Sequence, residues 1–168
     1  GFDTINELLH GRHSLLIEQS LPAQFSDNLW AIILFIILMA LLKIVATATT
    51  IGAGGIGGVF APSLFVGAAI GFSFAKIFNL FGSSNLSETH FALVGMGGLI
   101  AGVLHAPLTA LFMIAEITGG YQLMLPLMLT VVIAYLTSKF FVPHSIYNIQ
   151  LAQRGELITH HKDKAVLT

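Results

Sequence analysis

The sequence predicts an all-α, polytopic transmembrane protein with discontinuous or re-entrant helices, and three observations predict that fold class. Of 168 residues, 55% are hydrophobic and 9% are charged, whereas about a quarter of an ordinary soluble domain is charged. Formal charges are absent from 44–75, 89–115 and 117–138, and each span is long enough to cross a hydrocarbon core, which needs about 20 apolar residues. Lipid offers the backbone no water, so such spans fold as helices unless protein or a cavity covers them.

Composition also excludes several classes of protein. A net charge of -1 argues against a nucleic-acid partner. The absence of cysteine rules out disulfides and thiolate metal sites. Nothing in the sequence predicts a metal, an organic cofactor or covalent chemistry, so we expect a protein that is not an enzyme. The first residue is not Met and no secretory signal peptide opens the chain, so we expect a further portion to precede it.

Polarity divides the chain into three parts. Residues 1–28 form a polar connecting segment, residues 29–153 form the transmembrane part, and residues 154–168 form a polar tail. The tail and the preceding helix end carry several basic residues. The positive-inside tendency therefore predicts a cytoplasmic C-terminus for a multi-pass protein of the cell membrane.

The first predicted helix runs from about Leu29 to Thr50, with Trp30 suited to the headgroup level. Lys43, Thr47 and Thr50 follow at helical spacing and therefore share one face. Two interpretations stay open. Either this polar stripe faces a permeation region, or the lysine reaches the interface while the threonines bond their own backbone.

A glycine-rich loop follows, and it leads into the next helix near Val59 to Pro62. Proline favours the first turn of a helix, because its missing N–H is not needed there. Such a helix start carries free N–H groups and a partial positive charge, which makes it a ready anion site. Because 44–75 holds no charged residue, we expect main-chain dipoles to hold the anion. We also expect Gly58 to need a conformation that β-branched residues avoid.

The same loop matches a nucleotide motif by chance. Gly52, Gly54 and Gly57 fit the spacing G-x-G-x-x-G, which binds dinucleotides only between a strand and a helix with an acid about 20 residues on. Here a membrane helix precedes the motif, and the next acid, Glu88, lies too far along the chain. We therefore reject the nucleotide interpretation.

The remaining pattern predicts four more helices. They cover 60–78, about 88–104 with Ser87 as its N-cap, 107–117, and 121–141 with Pro126 inside it. Small residues at helical spacing predict close approach of helix backbones. They are Gly67 and Gly71 in one helix and Gly95, Gly97, Gly98 and Gly102 in the next.

Two ionisable residues interrupt these apolar segments. His105 lies in the break before Pro107 and is either a proton carrier or a loop histidine near the interface. Glu116 lies inside an apolar helix, where a carboxylate needs a partner or a proton. Its candidate partners are Thr118, Lys43 or a helix N-terminus, and proton transfer is the alternative.

These motifs resemble a known family. Gly58-Val59-Phe60-Ala61-Pro62 resembles the GxFxP signature of the CLC chloride channels and chloride/proton exchangers. The run HAPLTALFMIAEIT at 105–118 is a second, independent signature. The order of these runs, followed by YQLMLPLM and a short terminal segment with Tyr147, is similar to the C-terminal half of the family's membrane domain.

The resemblance implies a fold, a ligand and site residues. The chain would be one half of the family's inverted-repeat fold. Main-chain N–H groups of Val59 and Phe60 and the hydroxyl of Tyr147 would bind a chloride ion, within the loop formed by Gly58, Ala61 and Pro62. Partial charges bind weakly enough for an anion to leave, as conduction requires.

The resemblance also implies partners. They are chloride, the lipid bilayer, the N-terminal half of the same protein and a second copy, with Leu108 and Met124 at the homodimer interface. The tail 154–168 resembles the family's exit towards CBS domains. The GxExP-like loop with the gating glutamate does not occur in this sequence, so the resemblance covers channels and exchangers alike.

Chloride transport is therefore the predicted function, and two alternatives remain. One is a secondary transporter that holds a different anionic solute at the same helix start. The other is a non-transporting membrane module in which the glycines serve packing alone.

Overall fold

The computed structural model describes residues 29–55, 57–82 and 85–148. The polar segment 1–28 and the tail 154–168 lie outside the described residues. The described part is built from α-helices, which confirms the predicted all-α class. The helices are α1 Leu29–Gly52, α2 Phe60–Phe81, α3 Glu88–Leu104, α4 Pro107–Thr118 and α5 Met124–Phe141.

Four helix boundaries differ from the predicted ones, and that of α4, which ends at Thr118, differs by a single residue. Helix α2 continues to Phe81, because Asn79 keeps a helical backbone while its side chain accepts from Leu86 N–H at 2.8 Å and donates to Leu86 C=O at 3.0 Å. Helix α1 likewise runs on to Gly52. Helix α5 begins at Met124 instead of residue 121. This start places Pro126 in the first turn, where its missing N–H removes no helical bond.

Within the described residues, three segments are long and apolar enough to cross a membrane: Trp30–Gly52, Phe60–Phe81, and Met124–Asn148, which includes α5. Helices α3 and α4 are shorter apolar helices. With 12 residues, α4 spans roughly 18 Å at 1.5 Å per residue, which is too short to cross a core of about 30 Å.

Contacts between helix ends give the direction of each helix. Trp30 at the start of α1 lies edge-on to Phe81 at the end of α2, with ring centroids 6.4 Å apart, so these helices are antiparallel. Lys76 near the end of α2 pairs with Glu88 at the start of α3 at 3.0 Å, so these are antiparallel too. Consequently α1 and α3 end where α2 begins, and we call this end of the bundle the site end.

Helix α3 lies between α2 and α5. Ser138 Oγ in the last turn of α5 donates to Gly102 C=O in the last turn of α3 at 2.6 Å, so these two helices run parallel. The core joins residues of α2, α3, α4 and α5. Its largest fully buried side chains are Phe72, Met96, Ile100, Ile114, Leu127 and Val131.

The predicted close approach of helix backbones is confirmed where α2 meets α3. A Cβ atom at Gly67 would lie 2.6 Å from Gly95 C=O, and one at Gly71 would overlap Phe91 C=O. On the α5 side of α3, a Cβ at Gly97 would lie 2.5 Å from Leu127 Cδ1. The glycines of α3 therefore serve both of its neighbours, α2 through Gly95 and α5 through Gly97.

Candidate functional site

The candidate site is the first turn of α2, at the site end of the bundle. The helix begins at Phe60, and Val59 before it already has helical dihedral angles, with φ -77° and ψ -22°. The first helical hydrogen bond runs from Ser63 N–H to Val59 C=O at 3.1 Å. Ser63 Oγ donates to the same carbonyl at 2.8 Å, so the hydroxyl ties the turn together.

This turn leaves backbone donors available. The first N–H groups of any helix lack an acceptor within the helix. Here Pro62 has no N–H, so the donors are those of Val59, Phe60 and Ala61. None of them donates to a residue in the described part of the chain. The turn therefore presents N–H dipoles without a fixed charge, which is the arrangement that suits a small anion.

The preceding loop obtains its shape from other glycines than predicted. Gly54 has a left-handed backbone with φ +79°, and a Cβ at Gly55 would lie 2.8 Å from Thr50 C=O. Gly58 has no positive φ, and a Cβ there would meet no described atom within 4 Å. The predicted need for an unusual conformation at Gly58 is wrong, because the tight turn is made at Gly54 and Gly55.

Two cavities lie on either side of the start of α2. The larger, of about 300 Å³, is lined by Val59, Pro62 and Ser63 from α2 and its N-cap, and by residues of α1, α3 and the C-terminal turn that include Ile146. The smaller, of about 210 Å³, is lined by Gly57, Gly58 and Pro62 and by α1. Pro62 lines both cavities, and Val59, which carries one of the free N–H groups, lines the larger one.

The polar stripe of α1 lines the smaller cavity. Lys43, Thr47 and Thr50 all contribute to its wall. The hydroxyls of Thr47 and Thr50 donate to the backbone one turn earlier, at 2.8 and 2.7 Å. The threonines therefore bond their own backbone, as the second interpretation predicts, and the role of the stripe in permeation stays a prediction.

Lys43 brings a positive charge towards this loop. Its side chain is half-buried and forms no ion pair or hydrogen bond with a described residue. We expected a site without charged side chains, because the sequence around the loop contains none. The lysine lies on the preceding helix α1 and lines the cavity from there. A search for charged residues within 44–75 does not include it.

Tyr147 lies in the short turn after α5. Asn148 N–H donates to Ser145 C=O at 2.9 Å, which closes this turn around Ile146 and Tyr147. Ile146 lines the larger cavity together with Val59, so the turn is close to the start of α2. The Tyr147 side chain is 57% exposed, and its hydroxyl bonds no described residue. Its role as an anion ligand stays a prediction.

His105 lies in the break between α3 and α4, as predicted, and a role as a proton carrier stays a prediction. It ends α3 in a left-handed conformation, with φ 55° and ψ 36°. Its Nε2 lies 3.4 Å from Ser138 Oγ, and its ring meets Tyr135 edge-on with centroids 5.8 Å apart. The imidazole therefore connects α3 to α5 and is not a free loop side chain.

Glu116 and the predicted interface residues lie on exposed surfaces. Glu116 contacts neither Lys43 nor Thr118 by a hydrogen bond, since the Thr118 hydroxyl bonds backbone carbonyls. The Glu116 carboxylate is exposed in α4. Leu108 is 66% exposed and Met124 is half-buried, so both remain available for contact with lipid or a partner.

Sequence reasoning missed two polar contacts between helices. The Lys76–Glu88 ion pair connects α2 and α3, and opposite charges on the two sides of a short loop were the signal for it. The Ser138–Gly102 bond connects α5 to α3, and no sequence signal indicates it, because the partners are far apart along the chain.

Comparison with known proteins gives a consistent result. The sequence profile described as voltage gated chloride channel matches residues 1–139, so Tyr147 lies beyond the matched range. A ClcB-like chloride channel protein of Ralstonia nicotianae is 39% identical over 120 residues, which cover 71% of this chain. Proteins named voltage-gated ClC-type chloride channel ClcB from Yersinia pseudotuberculosis and Yersinia pestis are 41% identical over 107 residues, which cover 62% of it.

The matched regions are a small part of these relatives. They cover 28% of the Ralstonia protein and 26% of each Yersinia protein. The chain therefore spans about a quarter of the length of the curated relatives that it matches.

Proposed function

Because this chain belongs to the voltage gated chloride channel family, we propose that the whole protein transports chloride across a membrane and that the start of α2 is an anion site. One observation carries the proposal. The N–H groups of Val59, Phe60 and Ala61 in the first turn of α2 donate to no residue in the described part of the chain, and Val59 and Pro62 of this turn line cavities. Peptide dipoles at a helix start attract an anion without the full charge that would trap it.

Tyr147 completes the site in this proposal. Ile146, its neighbour, lines the larger cavity beside Val59, and this proximity supports a phenol hydroxyl directed at the same ion. Two N–H groups and one O–H would then supply the donors to chloride. Gly58 in the loop, together with Ala61 and Pro62 in the first turn of α2, would hold Val59 and Phe60 in place.

The rest of the pathway comes from partners. Relatives named as chloride channels are about four times as long as the matched region, which supports an N-terminal half that covers the exposed apolar faces of this chain. A second copy would meet α4 and α5 near Leu108 and Met124. The C-terminal tail would lie in the cytoplasm, as its basic residues favour.

Replacing Tyr147 with Phe tests the proposed ligand. The variant loses one donor to the anion, so halide affinity should weaken by about 1 kcal/mol or somewhat more, as for a hydrogen bond to a charged group. Isothermal titration of bromide into the purified whole protein measures this change. Tyr121→Phe is the matched control, because Tyr121 lies in the α4–α5 turn. Equal affinity in the wild type and both variants would contradict the assignment.

Two further measurements separate the rival functions. Chloride efflux from proteoliposomes supports the proposal, and efflux of an organic anion alone supports the secondary transporter. An anomalous-scattering peak from bromide at the Val59 and Phe60 N–H groups excludes a module that serves packing alone. No peak in crystals soaked with bromide would count against the anion site.

A further inference from the structure

We propose that Ser138 and His105 are positioning residues for the turn that carries Tyr147, an inference that rests on the proposed anion site. Ser138 lies in the last turn of α5, and His105 is the C-cap of α3. Neither residue lines the two cavities at the start of α2. Their effect on an anion would therefore pass through the position of another residue.

The direction of the hydrogen bonds follows from the single hydrogen of Ser138. Its Oγ donates to Gly102 C=O at 2.6 Å, so it accepts from His105 Nε2 at 3.4 Å. Gly102 lies in the last turn of α3, where carbonyls lack donor partners within the helix. The serine thus satisfies a helix end and connects α3 to α5 in one contact.

The backbone of His105 adopts a conformation that favours glycine. His105 is the non-glycine residue with positive φ in the described part of the chain. The corresponding C-cap of α4 is Gly119, with φ 62°. A left-handed backbone is unfavourable for a non-glycine residue, because its Cβ lies too close to the following carbonyl oxygen. The contacts of the ring with Ser138 and Tyr135 offset that cost.

A short connection leads from Ser138 to Tyr147. Val142 N–H donates to Ser138 C=O at 2.7 Å and ends α5. Ser145, which is buried, starts the turn that contains Tyr147. Movement of the last turn of α5 therefore moves the start of this turn.

The other end of the connection faces α3. Ile146 lines the larger cavity together with Val103, the neighbour of Gly102. The turn that contains Tyr147 therefore lies across this cavity from the last turn of α3. Ser138 holds the last turn of α5 to that same turn of α3, so losing the Ser138 contact should displace the Tyr147 hydroxyl.

A double-mutant cycle in the whole protein tests this inference. We expect Ser138→Ala to weaken bromide binding at least about twofold, the lower limit for coupled residues. In a Tyr147→Phe background the same change should have no further effect, because the hydroxyl it positions is gone. Thr137→Ala, which removes the adjacent exposed hydroxyl of α5, should leave affinity unchanged.

His105→Gly provides a second, independent variant. Glycine adopts the left-handed conformation freely, so folding should be preserved while the contact with Ser138 is lost, and bromide binding should weaken as in Ser138→Ala. Equal weakening by Ser138→Ala with and without the Tyr147 hydroxyl, or none in either variant, would overturn the inference. Full affinity in Tyr147→Phe alone would instead refute the proposed ligand.

Discussion

Gly67 and Gly71 of α2 lie against the backbone of α3 with no space for a side-chain atom. Between apolar helices in lipid, association depends on close packing, because lipid tails are as apolar as leucine. Each of these glycines therefore contributes through the van der Waals contacts that its missing Cβ permits. The packed α2–α3 pair in turn holds the start of α2 at the site end.

Gly71→Ala should strongly destabilise this pair. The new methyl group would overlap Phe91 C=O, which is backbone and cannot rotate away. We expect a loss of about 1 to 3 kcal/mol, the usual cost of overpacking, and more if α3 separates. Thermal unfolding in detergent measures it. Gly52→Ala, whose methyl meets no described atom within 4 Å, is the control, and equal melting temperatures for both variants would contradict the packing argument.

Lys43→Gln should reduce chloride transport in a manner that depends on salt. Lys43 lines the smaller cavity beside the glycine loop, so its charge should raise the local concentration of anions there. Added salt screens this effect over about 10 Å at 0.1 M. Flux should therefore fall in the variant at low ionic strength and approach the wild-type value at high ionic strength.

The control for this change is Lys139→Gln, which removes a charge whose Nζ bonds Tyr135 Oη on α5. It should leave the salt dependence of transport unaltered. If Lys43→Gln matched the wild type at every ionic strength, the smaller cavity would lie outside the anion pathway.

Sequence patterns predicted where a helix begins and which residue caps it. They did not predict how residues are surrounded once the helices pack together. The start of α2 and the Ser87 N-cap, which accepts from His90 N–H at 3.4 Å, follow from local rules for helix ends. The conformation of Gly58 and the approach of Lys43 to the loop do not. Both depend on how α1 packs beside α2, and residues far apart along the chain decide that packing.

The connection between α2 and α3 is held by polar contacts as well as by glycines. Lys76 Nζ contacts both carboxylate oxygens of Glu88, at 3.0 and 3.3 Å, and lies 5.5 Å from the centroid of the Phe72 ring. The two side chains are 11% and 25% exposed. Burying two charges costs desolvation free energy, which offsets much of their attraction. Removing both partners is therefore far less destabilising than removing one, which leaves the other charge unpaired.

Single and double variants of this pair should therefore differ in stability. Lys76→Met alone leaves Glu88 without a counter-ion at the start of α3 and should cost about 3 kcal/mol or more. Adding Glu88→Gln should restore much of that stability. The midpoint of thermal unfolding in detergent reports each variant. If the loss of stability in the double variant equalled the sum of the losses in Lys76→Met and Glu88→Gln alone, the two residues would not be coupled.

Helix existence was predictable here, and helix length was less so. Long apolar runs predict α1, α2 and α5, because backbone N–H and C=O groups in lipid must hydrogen-bond within their own segment. The end of α2 depends on the Asn79 side chain, which bonds Leu86 across the loop. Such a contact lets asparagine remain helical against its usual preference for loops.

The described part of the chain leaves wide apolar faces exposed, as expected for a membrane protein whose neighbours are lipid and other protein. Exposed residues include Leu108, Phe112, Leu125 and Ile133 of α4 and α5. The family resemblance predicted one half of an inverted repeat. The parallel alignment of α3 and α5 could not be read from the sequence, because it depends on contacts such as Ser138–Gly102.

The directions of the helices predict the topology of the membrane part. The α2–α3 loop and the start of α1 lie at one end, whereas the turn after α5 lies at the site end. If basic residues keep the tail in the cytoplasm, the cysteine of Asn85→Cys should react with a membrane-impermeant maleimide from outside intact cells. The cysteine of His144→Cys should react only after permeabilisation. The chain contains no cysteine, so it adds no background of its own.

Helix α4 provides the internal check on this topology. It begins at the site end and is too short to cross the bilayer, so the turn before α5 should not reach the opposite surface. The cysteine of Gly120→Cys in this turn should therefore react more slowly than either of the other two. Its left-handed neighbour Gly119 is left in place to preserve the turn. Reaction of the Asn85 and His144 variants from the same side would require an even number of crossings between them. That outcome would contradict the parallel α3–α5 pair, because α4 returns only part of the way.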